Sequence, residues 1–180
     1  MIKLEDILDE LLTREKDILG QGLEHVVYPS TDPTKVYKLG ETKYVKKWVP
    51  IFKTHPDLFP IIYKTGFYKG DKDITWVEME RLDTEQFEVD FEVLESIIED
   101  VSNYDGALGA IKSTQNNEKD WDKLYNDIEQ QDPEIADFYA KLYNNVVQTR
   151  SFKSGWFDTY DFHKGQFGYD KDKNIKMLDF

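Results

Sequence analysis

The chain has 180 residues, 23 of them Lys or Arg and 36 Asp or Glu, for a formal net charge of −13. It contains no cysteine, which excludes a disulfide framework, a thiol nucleophile and a thiolate metal site, and its three histidines (His25, His55 and His163) are too scattered for an imidazole zinc site. No run approaches the roughly 20 apolar residues of a membrane span, the opening MIKLEDILDE lacks the basic-then-apolar order of a signal peptide, and the excess negative charge opposes nucleic acid and anionic lipid. Eleven Tyr, eleven Phe and four Trp exceed what a disordered acidic chain carries. A single soluble, cytoplasmic domain spanning 1–180 is therefore expected, with no nucleic-acid and no membrane partner.

In chain order, Leu4, Ile7, Leu8, Leu11 and Leu12 fall on one stripe of a leading amphipathic helix over residues 3–14. Glu24 to Tyr28 reads as an extended run, Pro29 to Pro33 as a turn, and Lys35 to Leu39 as the second strand of a hairpin. Residues 41–53 carry Tyr44, Val45, Trp48, Ile51 and Phe52 at helical spacing, with Pro50 as a kink or last turn. Two further strands follow, Ile61 toward Tyr68 and Ile74 to Met79, separated by a turn over 70–73.

After Leu82 the apolar period changes from two to 3.6. Phe91, Leu94, Ile97, Ile98 and Val101 predict a helix over 90–102, and Trp121, Leu124, Tyr125 and Ile128 a weaker one over 118–130. Asp132 as cap and Pro133 at the first helical position open a third helix, striped by Ile135, Phe138, Tyr139, Leu142, Tyr143, Val146 and Val147. A loop to Gly165 then leads into a terminal hairpin, Phe167–Tyr169 with Ile175–Leu178. Strands first and helices second predict an α+β fold with two lobes, 1–82 and 83–180, and a hinge near Glu80–Asp83. Charge is uneven: six lysines lie between Lys35 and Lys53, and nine acids with no Lys or Arg between Asp83 and Asp105.

Three features could carry chemistry. In Gly20-Gln21-Gly22 the glycines let backbone approach a ligand's phosphates, although two glycines in a hairpin turn are commonly structural. Lys38 offers a point charge for phosphate oxygens. Asp161, then Gln166 five residues on, then a strand–turn–strand ending in Asp179, supplies three oxygen donors that suit a magnesium ion and an aligning base.

In this order the features resemble the protein-kinase-like superfamily, including its small-molecule and its phage or bacterial branches. Leu19-Gly-Gln-Gly…Val27 is similar to the glycine-rich loop, and Lys35-Val-Tyr-Lys38 to the strand with the phosphate-binding lysine. His55-Pro-Asp-Leu resembles the loop after the C helix, and Trp76 to Leu82 the strand entering the hinge. Asp161-Phe-His-Lys-Gly-Gln166 resembles the catalytic loop, and Leu178-Asp-Phe180 the start of Asp-Phe-Gly. The resemblance spans 17–180 and implies an antiparallel β-sheet N-lobe with a truncated, mainly helical C-lobe. It implies ATP and Mg²⁺ as cofactors and a small-molecule or protein hydroxyl as acceptor. Lys38 would pair the phosphates, Asp161 would orient the acceptor, and His163 would stand where many kinases place a lysine on the transferred phosphate. Gly20, Gln21, Gly22, Val27, Met79, Glu80 and Leu82 would surround the nucleotide, with adenine between the lobes, while Gln166 and Asp179 would hold the metal.

The departures keep a second reading open. His25 replaces the third glycine, Gln166 the usual Asn, and Thr159-Tyr160 the His-Arg before the catalytic Asp. The C-helix stretch offers Lys46 and Lys47, with Glu41 only at its start, and the sequence ends at Phe180, so no activation segment is expected. These features fit a catalytically inactive, pseudokinase-like partner-binding module. A third reading, an acidic decoy that mimics nucleic acid, rests on the acidic run from Asp83 to Asp105 alone.

Overall fold

Alternating strands that meet through short turns make the first half of the chain a sheet. The computed structural model describes residues 18–21, 25–115, 117–150 and 163–178. The leading helix, Gly22, Asp161 and Asp179 lie outside these. Within Met1–Arg81, the first of two compact units, strands β1 (Gly20–Gln21), β2 (His25–Pro29), β3 (Lys35–Glu41), β4 (Ile62–Tyr68) and β5 (Asp71–Glu80) form one sheet in the order β1-β2-β3-β5-β4. Every neighbouring pair is antiparallel.

Helix α1 (Thr42–Thr54) follows β3 directly, and Pro50 lies inside it near the C-terminal end, where its ring removes the N–H that would bond the Lys46 carbonyl. Its Val45, Trp48 and Phe52 are buried, and Thr42 and Thr75 share a buried hydroxyl hydrogen bond of 2.7 Å that ties the helix start to β5. On the other sheet face Tyr28, Tyr37 and Leu39 form a cluster with Ile18, Val26, Tyr68 and Trp76. The β4–β5 turn is shorter than the expected 70–73. Lys69 and Gly70 both have positive φ, 49° and 76°, the two-residue turn whose twist matches antiparallel strands, so pairing begins at Tyr68 and Asp71.

The second unit, Leu82–Phe180, contains α2 (Thr84–Val101), α3 (Gly106–Thr114), α4 (Glu118–Gln131), α5 (Pro133–Arg150), a 3₁₀ turn (Lys164–Gln166) and the hairpin β6 (Phe167–Tyr169)–β7 (Ile175–Met177). Helix α2 starts six residues before the expected 90 because the Asp83 carboxylate accepts the Gln86 N–H at 3.0 Å, a side-chain cap that recruits Phe87 to the buried stripe. Asp132 caps α5 as expected, accepting from the Glu134 and Ile135 N–H groups at 2.9 and 3.2 Å. Helix α3 is an addition. Its nine residues include Gly106 and Gly109 and show too little periodicity to be read locally, yet Ala107, Ala110 and Ile111 are fully buried.

An aromatic cluster centres on Phe87, whose ring lies 5.5 Å from Phe138 and 5.7 Å from both Phe167 and Tyr169. The hairpin is thereby packed onto α2 and α5. The fold class is α+β, with an antiparallel sheet in the first unit and a mainly helical second unit. No described helix is long and apolar enough to cross a membrane.

Candidate functional site

Strand pairing decides what surrounds Lys38. In register it stands between Val27 on β2 and Val77 on β5, so Val27, Lys38, Val77 and, two residues on, Met79 share one face of the sheet by the strand period of two. Met79 is 2% exposed, and Lys38 only 4%. An ammonium at that depth is costly to desolvate, and part of the compensation is visible: Lys38 Nζ lies 5.1 Å from the centroid of the Trp48 ring on α1. His25 meets the same indole edge-on at 6.0 Å. Glu41, the one carboxylate at the start of α1, is turned to Lys43 at 2.6 Å.

Gly20 and Gln21 form the short β1 strand, paired with Val27 and Val26. A Cβ at Gly20 would meet nothing within 4 Å, so packing does not demand glycine there. Glu80 falls on the opposite face of β5 from Met79, where its carboxylate accepts the Ile61 N–H at 3.2 Å and its own N–H bonds Ile61 O at 2.9 Å. Its side chain thus anchors the chain entering β4.

In the second unit, Leu82 is buried and lies against β6: a Cβ on Gly168 would come 2.8 Å from the Leu82 Cβ. Next to it, Asp83 and Tyr169 exchange backbone hydrogen bonds of 2.8 and 3.1 Å. The Tyr169 hydroxyl donates to Asp90 at 2.6 Å. Burial first, then this bond to a carboxylate, push the phenol's pKa up.

His163 and Gln166 are brought together by a capping box around the 3₁₀ turn: the His163 N–H donates to Gln166 Oε1 at 3.2 Å, and the Gln166 N–H returns to His163. One lone pair of the glutamine oxygen is thus already used, and the other remains for a cation. The neighbouring Lys164 is held by Glu92 of α2 at 2.7 Å, which raises its pKa. Across the hairpin, the Leu178 N–H donates to Gln166 O at 2.7 Å. Among the described residues no three His, Asp or Glu side chains gather to hold a metal. Both acids of the expected catalytic and metal set, Asp161 and Asp179, fall outside those residues.

Two features escaped sequence reasoning. Trp48 was legible as a core position of α1 from its spacing to Val45 and Phe52, but its contact with Lys38 depends on strand–helix packing. The second is a buried pair in the hairpin turn, Lys176 Nζ to Asp170 at 3.3 Å, with side chains 5% and 7% exposed.

No protein-family model matches the chain, and no curated protein does. Among solved structures it is similar to that of the streptomycin–ATP–APH(2″)-IIa ternary complex, at 14% identity and a TM-score of 0.31, over 99% of this chain and 71% of the other. At that level of likeness, any assignment to a family rests on the chain's own residues.

Proposed function

We propose that this chain is a kinase-like protein that binds ATP with Mg²⁺ and transfers the terminal phosphoryl group to a hydroxyl. The observation that carries the reading is Lys38: a lysine 4% exposed in the middle of a five-stranded sheet, sharing its face with the apolar Val27 and Met79. Burying an ammonium is tolerated where a charge is needed at a fixed place. The motifs that follow, Asp161 to Gln166 and then Asp179, supply oxygen donors in the order such chemistry requires.

On this reading Val27 and Met79 contact the adenine, the backbone at Gly20, Gln21 and Gly22 covers the phosphates, and Lys38 neutralises them. The segment from Glu80 to Leu82 offers main-chain groups to the base. Asp161 takes the acceptor hydroxyl's proton as the new O–P bond forms and the bond to the bridging oxygen breaks, leaving ADP. His163 contacts the transferred group. Gln166, through its remaining lone pair, and Asp179 hold the Mg²⁺, which when bound offsets phosphate charge. The two units, divided at Arg81 and Leu82, act as one kinase-like domain.

The test is calorimetric titration of ATP with and without Mg²⁺ into the wild type, Lys38→Ala and Asp179→Asn. Magnesium-dependent binding that both variants weaken at least tenfold is expected. Wild-type binding that neither substitution changes would overturn the residue assignments.

A specific observation favours a second reading, a pseudokinase-like partner-binding module. The neighbour that α1 sets against Lys38 is an indole rather than a carboxylate, and Gln166 spends part of its amide oxygen on the His163 cap. Nucleotide binding without release of ADP, over a panel of hydroxyl acceptors, would decide for it.

A further inference from the structure

Glycine at 168 is required by what lies against it. A Cβ there would sit 2.8 Å from the Leu82 Cβ, 3.3 Å from Thr84 Cγ2 and 3.4 Å from the Asp83 carbonyl oxygen. The bare backbone of β6 is what lets the segment 82–84 lie directly on it. Two backbone hydrogen bonds close the contact, Asp83 N–H to Tyr169 O at 2.8 Å and Tyr169 N–H to Asp83 O at 3.1 Å. We propose that this clasp makes Gly168 a positioning residue: it sets the spacing between Leu82, at the base, and Gln166, at the cation, and thereby selects Mg²⁺ over larger divalent ions. This rests on the kinase-like reading of Leu82 and Gln166.

Both sides of the clasp are anchored on α2. Phe167, between Gln166 and Gly168, is fully buried with its ring 5.7 Å from that of Phe87. The Tyr169 hydroxyl donates to one oxygen of Asp90 at 2.6 Å, and the other oxygen accepts from Gln86 Nε2 at 2.8 Å. The Asp83 carboxylate accepts the Gln86 N–H at 3.0 Å. Across the hairpin, the Leu178 N–H donates to Gln166 O at 2.7 Å, one residue before Asp179 in the sequence. Leu82 and Gln166 are thus held to a common frame.

The distances involved match the difference between two ions. Gln166 is two residues along the chain from Gly168, at most about 7 Å, so little backbone is available to absorb a displacement. Ordinary contact begins at 3.4 Å, and a methyl group at 168 therefore drives Leu82 and β6 apart by about half an ångström or more. Mg²⁺ takes ligands at about 2.0–2.1 Å in near-ideal octahedral geometry, whereas Ca²⁺ accepts about 2.3–2.6 Å and a variable ligand number. An error of that size is severe for the first ion and mild for the second.

The experiment has two arms. In amide hydrogen exchange of the wild type, the Asp83 and Tyr169 N–H groups are protected and open together. Coupling between sites is reciprocal, so at equal saturation Mg·ATP slows their exchange about threefold or more relative to Ca·ATP. In calorimetry, Gly168→Ala weakens Mg·ATP about tenfold or more but Ca·ATP by no more than about threefold. Tyr169→Phe loses the bond to Asp90 and some stability yet keeps the glycine contact, and its preference for Mg·ATP over Ca·ATP stays within about twofold of wild type.

Equal weakening of Mg·ATP and Ca·ATP by Gly168→Ala is what a merely structural defect gives, and it overturns the proposal, as does no change in either. Unprotected Asp83 and Tyr169 amides in the wild type overturn it as well, whatever the nucleotide does. If both amides are protected and the wild type binds ATP with neither cation, the kinase-like reading has failed and takes Gly168's role with it. Should Gly168→Ala not fold, the wild-type exchange arm decides, and equal slowing by Mg·ATP and Ca·ATP then overturns the proposal.

Discussion

Replacing Asp170 with alanine should unpick the hairpin that presents Gln166 and Leu178. One carboxylate oxygen of Asp170 accepts from the Asp172 N–H at 2.9 Å, the Asn174 N–H at 2.8 Å and Asn174 Nδ2 at 3.2 Å. The other accepts from Asn174 Nδ2 at 3.0 Å and faces Lys176 Nζ at 3.3 Å. Removing one partner of a buried pair costs at most about 3–5 kcal/mol, and Lys176 keeps a further interaction of its own. The turn's two backbone donors stay near the surface and recover water, so the lower end, about 3 kcal/mol, is the expectation. For a chain of this length that lowers Tm by roughly 6–12 °C. Lys176→Met should cost less, since Asp170 keeps its bonds from Asp172 and Asn174. The acid dependence has a definite sign. Burial alone would raise the Asp170 pKa, but the bonds from Asn174 and Asp172 and the Lys176 charge outweigh it and lower the value. A depressed carboxylate contributes stability above its unfolded pKa of about 3.9, and that contribution is lost as pH falls through the folded value. Urea unfolding of the wild type, Asp170→Ala, Asp170→Asn and Lys176→Met at pH 7, repeated for the wild type and Asp170→Asn down to pH 3, tests both statements. An Asp170→Ala stability within about 0.5 kcal/mol of wild type would refute the argument, as would a gap to Asp170→Asn that widens in acid.

Three further substitutions test close backbone approach and the burial of a phenol. Gly168→Ala puts a Cβ 2.8 Å from the Leu82 Cβ and 3.4 Å from the Asp83 carbonyl oxygen, so it should cost about 1–3 kcal/mol. Gly20→Ala, which meets nothing within 4 Å, should stay within about 0.5 kcal/mol; equal thermal shifts for the two would contradict the close approach. Burial pushes the Tyr139 phenol up to about 12, against a modest lowering by Thr114. Its contribution is therefore complete below about pH 10 and lost as pH rises through the folded value. Tyr139→Phe should unfold like the wild type at pH 7 but lose less stability between about pH 10 and 12; identical alkaline profiles would show that the hydroxyl does not sense its burial.

The elements legible in the sequence are those whose cause lies within a few residues. Asp132 and Pro133 open α5 because a side-chain oxygen and a donor-free first residue satisfy the helix start locally. The apolar stripes of α4 and α5 and the alternation of β3 and β5 announce which face is buried. So do the turn residues of the terminal hairpin, and the α+β order follows from strands preceding helices. The strings that resemble kinase motifs lie in the sequence itself, with Lys38 on its strand and Gln166 ahead of the hairpin.

Where the cause was tertiary, the sequence was silent or misleading. Helix α3 holds because Ala107, Ala110 and Ile111 find a core, although two glycines weaken its own propensity. The early start of α2 depends on the Asp83 cap and on Phe87 reaching Phe138 and Phe167, residues 51 and 80 positions away in the chain. The Glu80 carboxylate, an ordinary acid of its string, is turned to the Ile61 N–H on the opposite face of β5 from Met79, because successive strand residues alternate sides. Trp48 beside Lys38, and Asp170 beside Lys176, were each ordinary residues of their segments until strand register and helix packing closed the distance. Local chemistry determined the elements; burial decided which side chains the folded chain brings together, because desolvation and cross-strand contact exist only once distant segments meet.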